Sequence, residues 1–113
     1  PSAAIAPDVI LAPGTQIMAG AVIQPSCQIG QNTIINTRTS IDHDCQIGDH
    51  VHIAPGTVLS GDVVVEDDAH IGPGATIIEG IKIGAGAVVA AGACLVGDVP
   101  SNSRVSGIPA KPF

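Results

Sequence analysis

The chain has 113 residues, of which 45% are hydrophobic, yet it contains one Phe, no Tyr and no Trp, and its formal net charge is -6. A chain of this length forms one domain, and without aromatic side chains its core must be filled by many small and β-branched residues in a regular arrangement. Its four basic residues form no clustered patch, and no apolar run approaches the ~20 residues of a membrane span, which excludes a nucleic-acid partner and a membrane span.

A six-residue repeat extends from residue 5 to residue 100. Stepping by six from Ile5 gives sixteen aliphatic residues, the last of which is Leu95. Four residues after each of these comes a small or β-branched partner, from Val9 to Val99. The position before the partner is Gly, Asp or Asn in thirteen of the sixteen hexads, and these residue types tolerate the left-handed backbone of a sharp corner. Each hexad is therefore predicted to be a short strand followed by a turn, since a helix does not produce a period of six.

This pattern resembles the hexapeptide repeats of left-handed β-helix acyltransferases. The resemblance implies an all-β, left-handed parallel β-helix in which three hexads make one triangular coil, so that residues eighteen apart stack in neighbouring coils. We expect one domain, with about five coils in residues 1–100 and a C-terminal tail or cap in residues 101–113. Cys27 and Cys45 are eighteen apart and are predicted to touch as core thiols.

The three cysteines, Cys27, Cys45 and Cys94, are an odd number and lack the C-x-x-C spacing of zinc sites. We therefore expect reduced thiols, a cytoplasmic location and no metal.

Three functional classes share this scaffold. An ice-binding protein needs ranks of outward Thr on one flat side, and the outward Thr residues here form no such rank. A γ-type carbonic anhydrase needs three zinc-binding histidines, and the four histidines lack that family's paired spacing (His43, His50, His52, His70). An acyltransferase and a non-catalytic scaffold or binding module therefore stay open.

Two stretches favour the acyltransferase. Residues 35–53, from Ile35-Asn-Thr-Arg to Asp-His-Val-His-Ile, resemble the I-N-x-x-x-x-I-x-H-[DE]-C-x-I-G-[DE]-x-x-H-[IV] segment of NeuD/PglD-type bacterial sugar acetyltransferases. Residues 107–111, Gly-Ile-Pro-Ala-Lys, resemble the G-x-P-A-[KR] ending common among trimeric CoA-dependent transferases. The resemblance implies acetyl transfer from acetyl-CoA to an amine or hydroxyl of a nucleotide amino sugar in bacterial glycan biosynthesis, with a non-sugar acceptor such as an amino acid as the alternative. That family usually carries an N-terminal α/β domain for the nucleotide sugar, and nothing of it is present in these residues, so the acceptor stays open.

The resemblance implies that His43 is the general base and that Asp44 orients its imidazole. Such a pair suits the chemistry because a neutral imidazole titrates near working pH and must present the correct tautomer. Purely structural roles remain alternatives, above all for Asp44 at a corner position. Gly61 is eighteen residues after His43, and its turn N-H is predicted to stabilise the oxyanion, the role that the resemblance also implies.

Further binding residues follow from the resemblance and from charge. His52 matches the family's second histidine and is expected to contact the acetyl group or the acceptor, although a surface ladder with His70 is the alternative. Asn36 is expected to hold the acceptor sugar, although it could equally bond a neighbouring coil.

Three of the four basic residues fall in the last third of the chain, which predicts contacts with the phosphates of acetyl-CoA (Lys82, Arg104, Lys111). Because a single prism has only convex faces and pockets need concavity, we expect a homotrimer with sites between subunits.

Overall fold

The computed structural model describes residues 3–113 as a left-handed parallel β-helix, which confirms the predicted fold. Positions 1 and 2, which the sequence assigns to the same domain, lie outside the described residues. The body is a prism of 37 × 20 × 20 Å whose three faces are parallel sheets, with strands numbered along the chain.

The first sixteen strands pass in turn from one sheet to the next, so each sheet receives every third strand up to β16, and the last two strands join the third sheet. The first sheet contains β1 (Ala4–Ile5), β4 (Val22–Ile23), β7 (Ser40–Ile41), β10 (Val58–Leu59), β13 (Thr76–Ile77) and β16 (Cys94–Leu95). The second contains β2 (Ile10–Leu11), β5 (Gln28–Ile29), β8 (Gln46–Ile47), β11 (Val64–Val65) and β14 (Lys82–Ile83). The third contains β3 (Gln16–Ile17), β6 (Ile34–Ile35), β9 (His52–Ile53), β12 (His70–Ile71), β15 (Val88–Val89), β17 (Arg104–Ser106) and β18 (Lys111–Pro112).

The number of coils is about six rather than the expected five. The difference lies in the C-terminal residues, where β17 pairs in parallel with β15 and extends the third sheet. The strand forms although the six-residue spacing has ended, because Val105 still fills an inward, buried position. The chain then reverses into β18, which is antiparallel to β17, and Ala110 packs against the core.

The second residue of each of the sixteen repeat strands points inward, and most of these residues are fully buried. At the N-terminal end, Ile5 and Leu11 are 40% and 42% exposed because no described coil stacks below them. Fourteen of the sixteen corner positions have a positive φ, including Ser26, Arg38 and His50, which are not Gly, Asp or Asn. The corner therefore imposes the left-handed conformation even on residues that do not favour it.

Inward hydroxyl and thiol groups brace the corners. Each donates a hydrogen bond to a main-chain carbonyl fifteen residues on, which is the last carbonyl before the corner of the next coil. Thr33 Oγ1 donates to the Gly48 carbonyl at 2.7 Å, and Thr57 Oγ1 donates to that of Gly72 at 3.1 Å. These bonds satisfy polar groups that lie inside the prism.

Among residues 3–113, no helix is long and apolar enough to span a membrane.

Candidate active site

The corner between the first and second sheets, here the first corner, holds His43 and Asp44 in one coil and Gly61 and Asp62 in the next. The two coils are joined there by a hydrogen bond from the Asp62 N-H to the His43 carbonyl at 3.0 Å. The His43 N-H donates to Asp42 Oδ1 at 2.8 Å, which fixes the turn. Asp44 has a φ of 58° and so also occupies the left-handed corner. The corner therefore directs the His43 side chain outward, where it is 49% exposed.

The His43 ring is oriented by its neighbour. His43 Nδ1 lies 2.9 Å from Asp44 Oδ2. A carboxylate only accepts hydrogen bonds, so Nδ1 carries the proton and Nε2 of the neutral ring is left with its lone pair. The structural and catalytic interpretations of Asp44 are thus compatible, because its backbone makes the corner while its carboxylate orients the imidazole.

Negative charge surrounds the imidazole. The hydrogen bond to Asp44 raises the pKa of His43, and the charges of Asp42, Asp44 and Asp62 raise it further. His43, Asp44 and Asp62 offer ligand-type atoms within 4.8 Å of one another, but all three residues are exposed and exposed acidic groups commonly cluster without an ion. The cluster is better explained by its effect on the basicity of His43.

The His43 ring lies directly against Gly61. A Cβ atom added to Gly61 would lie 2.6 Å from both Cε1 and Nε2 of His43, closer than such atoms approach. Any side chain at residue 61 would therefore force the ring out of this position. Within residues 3–113 the Gly61 N-H donates no main-chain hydrogen bond, so a donor without a protein partner lies one coil from the basic nitrogen.

A second group of predicted residues lies on the third sheet. The rings of His52 and His70 are edge to face with their centroids 4.8 Å apart, and Asn36 Nδ2 lies 3.4 Å from His52 Nε2. Asn36 Oδ1 accepts a hydrogen bond from the Thr37 N-H at 2.7 Å, which turns the amide nitrogen of Asn36 toward His52. Burial lowers the pKa of His52, and His70 lowers it further, so both effects favour a neutral His52 ring.

The two groups do not meet within one chain. In a triangular cross-section, the third sheet is the face opposite the first corner, and the body between them is about 20 Å wide. Asn36 and His52 therefore come together with each other, whereas His43, Asp44 and Gly61 form a separate cluster.

The three basic residues are also divided. Lys82 lies on the second sheet, where its Nζ is 3.5 Å from Glu66 Oε2. Arg104 in β17 and Lys111 in β18 belong to the third sheet, and Arg104 lies in the same outward column as His52 and His70. The predicted phosphate site thus has two members on the face of His52 and one on another face.

Asp42, Asp62 and the contact of Gly61 with the imidazole were not predicted from the sequence. Asp62 could have been found, because it is eighteen residues after Asp44 and must stack on it. The close contact at Gly61 depends on the rotamer of His43, which a repeat does not specify.

Three surface cavities of the described residues, of about 370, 260 and 240 Å³, lie along the second sheet and at the C-terminal end. None of these three is lined by His43, Asp44 or Gly61 within the described part of the chain.

A family model described as bacterial transferase hexapeptide (six repeats) matches residues 26–61 and 62–97, together more than half of the chain. A comparison with curated proteins finds no match.

Several solved structures are similar to this chain. The acetyltransferase domain of PglB from Neisseria gonorrhoeae FA1090, also solved in complex with acetyl coenzyme A, is 38% identical over 100% of this chain, with a TM-score of 0.99. PerB from Caulobacter crescentus, solved in complex with CoA and GDP-perosamine, is 42% identical over 100% of this chain, with a TM-score of 0.99. WeeI from Acinetobacter baumannii AYE is 32% identical over 96% of this chain, with a TM-score of 0.73. The chain spans 55% of the length of the first two and 56% of the third.

Proposed function

The chain belongs to the bacterial transferase hexapeptide family, and we propose that it transfers an acetyl group from acetyl-CoA to the amine of a nucleotide-linked amino sugar. One observation carries the proposal: an imidazole with its Nδ1 held by a carboxylate at 2.9 Å lies against Gly61, whose N-H has no main-chain partner among residues 3–113. This pairing of a base with a nearby donor suits attack on a thioester.

In the proposed mechanism, His43 Nε2 removes a proton from the acceptor amine as its nitrogen forms a bond to the thioester carbon. In the resulting tetrahedral intermediate, the former carbonyl oxygen carries the negative charge and accepts a hydrogen bond from the Gly61 N-H. Collapse of the intermediate breaks the C-S bond and expels the CoA thiolate, which takes the proton from His43. The products are an N-acetyl sugar and CoA, and the imidazole returns to its starting state.

The proposed substrates follow the relatives' ligands. PglB was solved with acetyl coenzyme A and PerB with CoA and GDP-perosamine, an amino sugar attached to a nucleotide. Sequence identities of 38% and 42% over the whole chain support a similar pair of substrates here.

The direct test is to incubate the protein with acetyl-CoA and a panel of nucleotide amino sugars and to measure thiol release and the acetylated product. We expect turnover with at least one nucleotide amino sugar and none with the corresponding neutral nucleotide sugar, which lacks the amine. Faster turnover with free amino acids than with every amino sugar would contradict the proposed acceptor class.

We also propose a homotrimer in which the first corner of one subunit faces the third sheet of the next. This arrangement would bring Asn36 and His52 of one subunit to His43 of its neighbour, which one chain alone does not do. A contact between two different surfaces is heterologous, and it forms a closed ring when the rotation from subunit to subunit closes, here after three copies. Ile78 and Val96, which are 42% and 56% exposed just before the first corner in later coils, supply apolar surface for the contact.

Light scattering is expected to give three times the mass of the chain. A complementation test uses one variant of each surface. His43→Ala and His52→Ala proteins, each inactive alone, should regain partial activity when their subunits are mixed and reassembled. Some sites then combine an intact His43 from one subunit with an intact His52 from the next. A fully active monomer would contradict the shared site.

We propose that acetyl-CoA runs along the third sheet, with its thioester near His52 and its phosphates near Arg104 and Lys111. The outward column His52, His70, Val88 and Arg104 covers three strand spacings, about 14 Å. Ala90, a small and half-buried residue beside this column, leaves room for a slender pantetheine arm.

Replacing both Arg104 and Lys111 with Ala is expected to raise the Kd for CoA about tenfold, because charged hydrogen bonds to the phosphates are lost. Calorimetry measures this directly. Lys82→Ala is the matched control, since Lys82 is already paired with Glu66 on another face and its loss should leave the Kd unchanged. If Lys82→Ala weakened the binding of CoA and the double variant did not, CoA would instead lie along the second sheet.

The pH dependence of kcat/KM should follow the protonation of the His43 imidazole. Asp44 raises the pKa of His43, and the proposed base acts only when neutral, so activity should fall as the pH drops through that raised pKa. Asp44→Asn removes the main cause of the rise, which should shift the acid limb to lower pH. The plateau of kcat/KM at high pH should also fall about tenfold in Asp44→Asn, because the tautomer of His43 is no longer fixed. This loss is smaller than the loss expected when the base itself is removed. An acid limb that does not move would contradict the role of Asp44.

We further propose a cytoplasmic location, where acetyl-CoA is available and where Cys27, Cys45 and Cys94 would remain the free thiols found in the structure.

A further inference from the structure

Two buried thiols lie beneath the first corner. Cys45 Sγ is 3.2 Å from the Ser60 carbonyl oxygen, and Cys27 Sγ is 3.0 Å from that of Asp42. These carbonyls belong to the peptide groups whose N-H groups are those of Gly61 and His43. Each thiol therefore contacts, from inside the prism, a peptide group that carries part of the site on its outer side.

The thiols belong to the inward positions that elsewhere hold bracing threonines. In the column beneath the first corner, the equivalent positions of other coils are Val9, Val63, Ile81 and Val99, which have no group to donate. Along this column, among residues 3–113, side-chain braces occur at the two coils that carry His43 and Gly61. The distribution associates the thiols with the site rather than with the corner in general.

Cys45 is suited to donate rather than to react. It is fully buried, and burial raises the pKa of its thiol to about 12, so the S-H is intact at neutral pH. Among the described residues, the Ser60 carbonyl accepts a hydrogen bond only from this thiol. A hydrogen bond to the oxygen of an amide polarises the group and strengthens its N-H as a donor, and it also fixes the plane of the peptide.

We propose that Cys45 is a positioning residue for acetyl transfer: through the Ser60 carbonyl, its thiol aims and strengthens the Gly61 N-H as the oxyanion donor. The inference rests on the proposed function and deepens it. Cys45 touches no substrate and acts only through the peptide group between Ser60 and Gly61.

The test compares two substitutions of nearly equal shape. Cys45→Thr keeps a donor of the kind that Thr33 and Thr57 provide at equivalent positions, whereas Cys45→Val removes it. We expect Cys45→Val to lower kcat about tenfold, part of the loss caused by removing an oxyanion donor, with the KM for acetyl-CoA unchanged. Cys45→Thr should restore kcat to within about twofold of the original, since the donor is present again.

Thr33→Val is the control. It removes a brace on the Gly48 carbonyl, together with the bond that Thr33 Oγ1 accepts from the Val51 N-H at 3.2 Å, at a corner that carries no candidate site residue. It should lower the thermal midpoint but leave kcat unchanged. If Cys45→Val does not fold, Cys45→Ala takes its place, because Ala69 and Ala75 occupy equivalent inward positions.

A second measurement is independent of turnover. In amide NMR spectra, the Gly61 proton should move upfield in Cys45→Val and stay near its original position in Cys45→Thr. Equal kcat in the Val and Thr variants, whether both are normal or both are low, would overturn the inference, because the donor would then make no difference. If the unaltered protein acetylates no acceptor, the proposed function fails and the catalytic part of the inference fails with it. The Gly61 resonance would still decide whether the thiol polarises the peptide group.

Discussion

Replacing His43 with Ala is expected to reduce acetyl transfer by about 10²–10⁴-fold, the usual contribution of a positioned general base. The side chain is 49% exposed and contributes nothing to the aliphatic core, so the free energy of unfolding should change by no more than about 0.5 kcal/mol. The KM for acetyl-CoA should hardly change, because the base acts on the acceptor. Steady-state kinetics and thermal unfolding of the same preparation measure both quantities.

A second exposed corner histidine provides the control. His50 has a φ of 55° at the next corner, so His50→Asn substitutes a residue that tolerates the left-handed conformation. This variant should keep normal turnover. A His43→Ala protein that remains folded and retains near-normal turnover would refute the assignment of the base, and one that unfolds would favour a structural role for His43.

The repeat predicts most of the fold because a strict period leaves little freedom. Ile23, Ile41 and Leu59 are fully or almost fully buried as the six-residue step requires, and the strands pair with partners eighteen residues away. The sequence did not predict the sixth coil, because the segment before Arg104 has lost the period and the pairing of β17 depends on an exposed strand edge at β15. A sheet edge accepts such a strand whatever its spacing.

Only the contacts between residues stacked eighteen apart could be predicted for the site. The eighteen-residue rule places Gly61 beside His43, and the structure adds that the imidazole lies 2.6 Å from the point where a Cβ of residue 61 would be. The same rule says nothing about contacts between faces. The expectation that His52 and His43 share a site came from the family motif, and within one chain they lie on opposite sides of the prism. Residues that meet between subunits leave no signal in the periodicity of one chain.

Replacing Gly61 with Ala is expected to lower turnover by about 10²–10³-fold, comparable to the loss of an oxyanion donor. The added methyl group would lie 2.6 Å from Cε1 and Nε2 of His43, so the imidazole must leave its position against Gly61. Gly61 has no positive φ, so the effect comes from the contact rather than from backbone strain. The imidazole ends a half-exposed side chain and can swing aside, so the free energy of unfolding should fall by less than the about 1–3 kcal/mol that overpacking costs in a core.

The control for this substitution is Gly97→Ala. Gly97 occupies the same hexad position two coils later, has no positive φ, and an added Cβ there meets nothing within 4 Å among the described residues. It should keep both stability and turnover.

A double-mutant cycle then isolates the contact between Gly61 and His43. Once His43→Ala has removed the ring, adding Gly61→Ala should cause no further loss of stability, because the methyl group enters the space that the imidazole occupied. Thermal unfolding of the four proteins measures the coupling. Additive losses would mean that the Gly61 methyl group clashes with the main chain instead, and the close approach of the imidazole to Gly61 would then not be the reason that glycine is needed there.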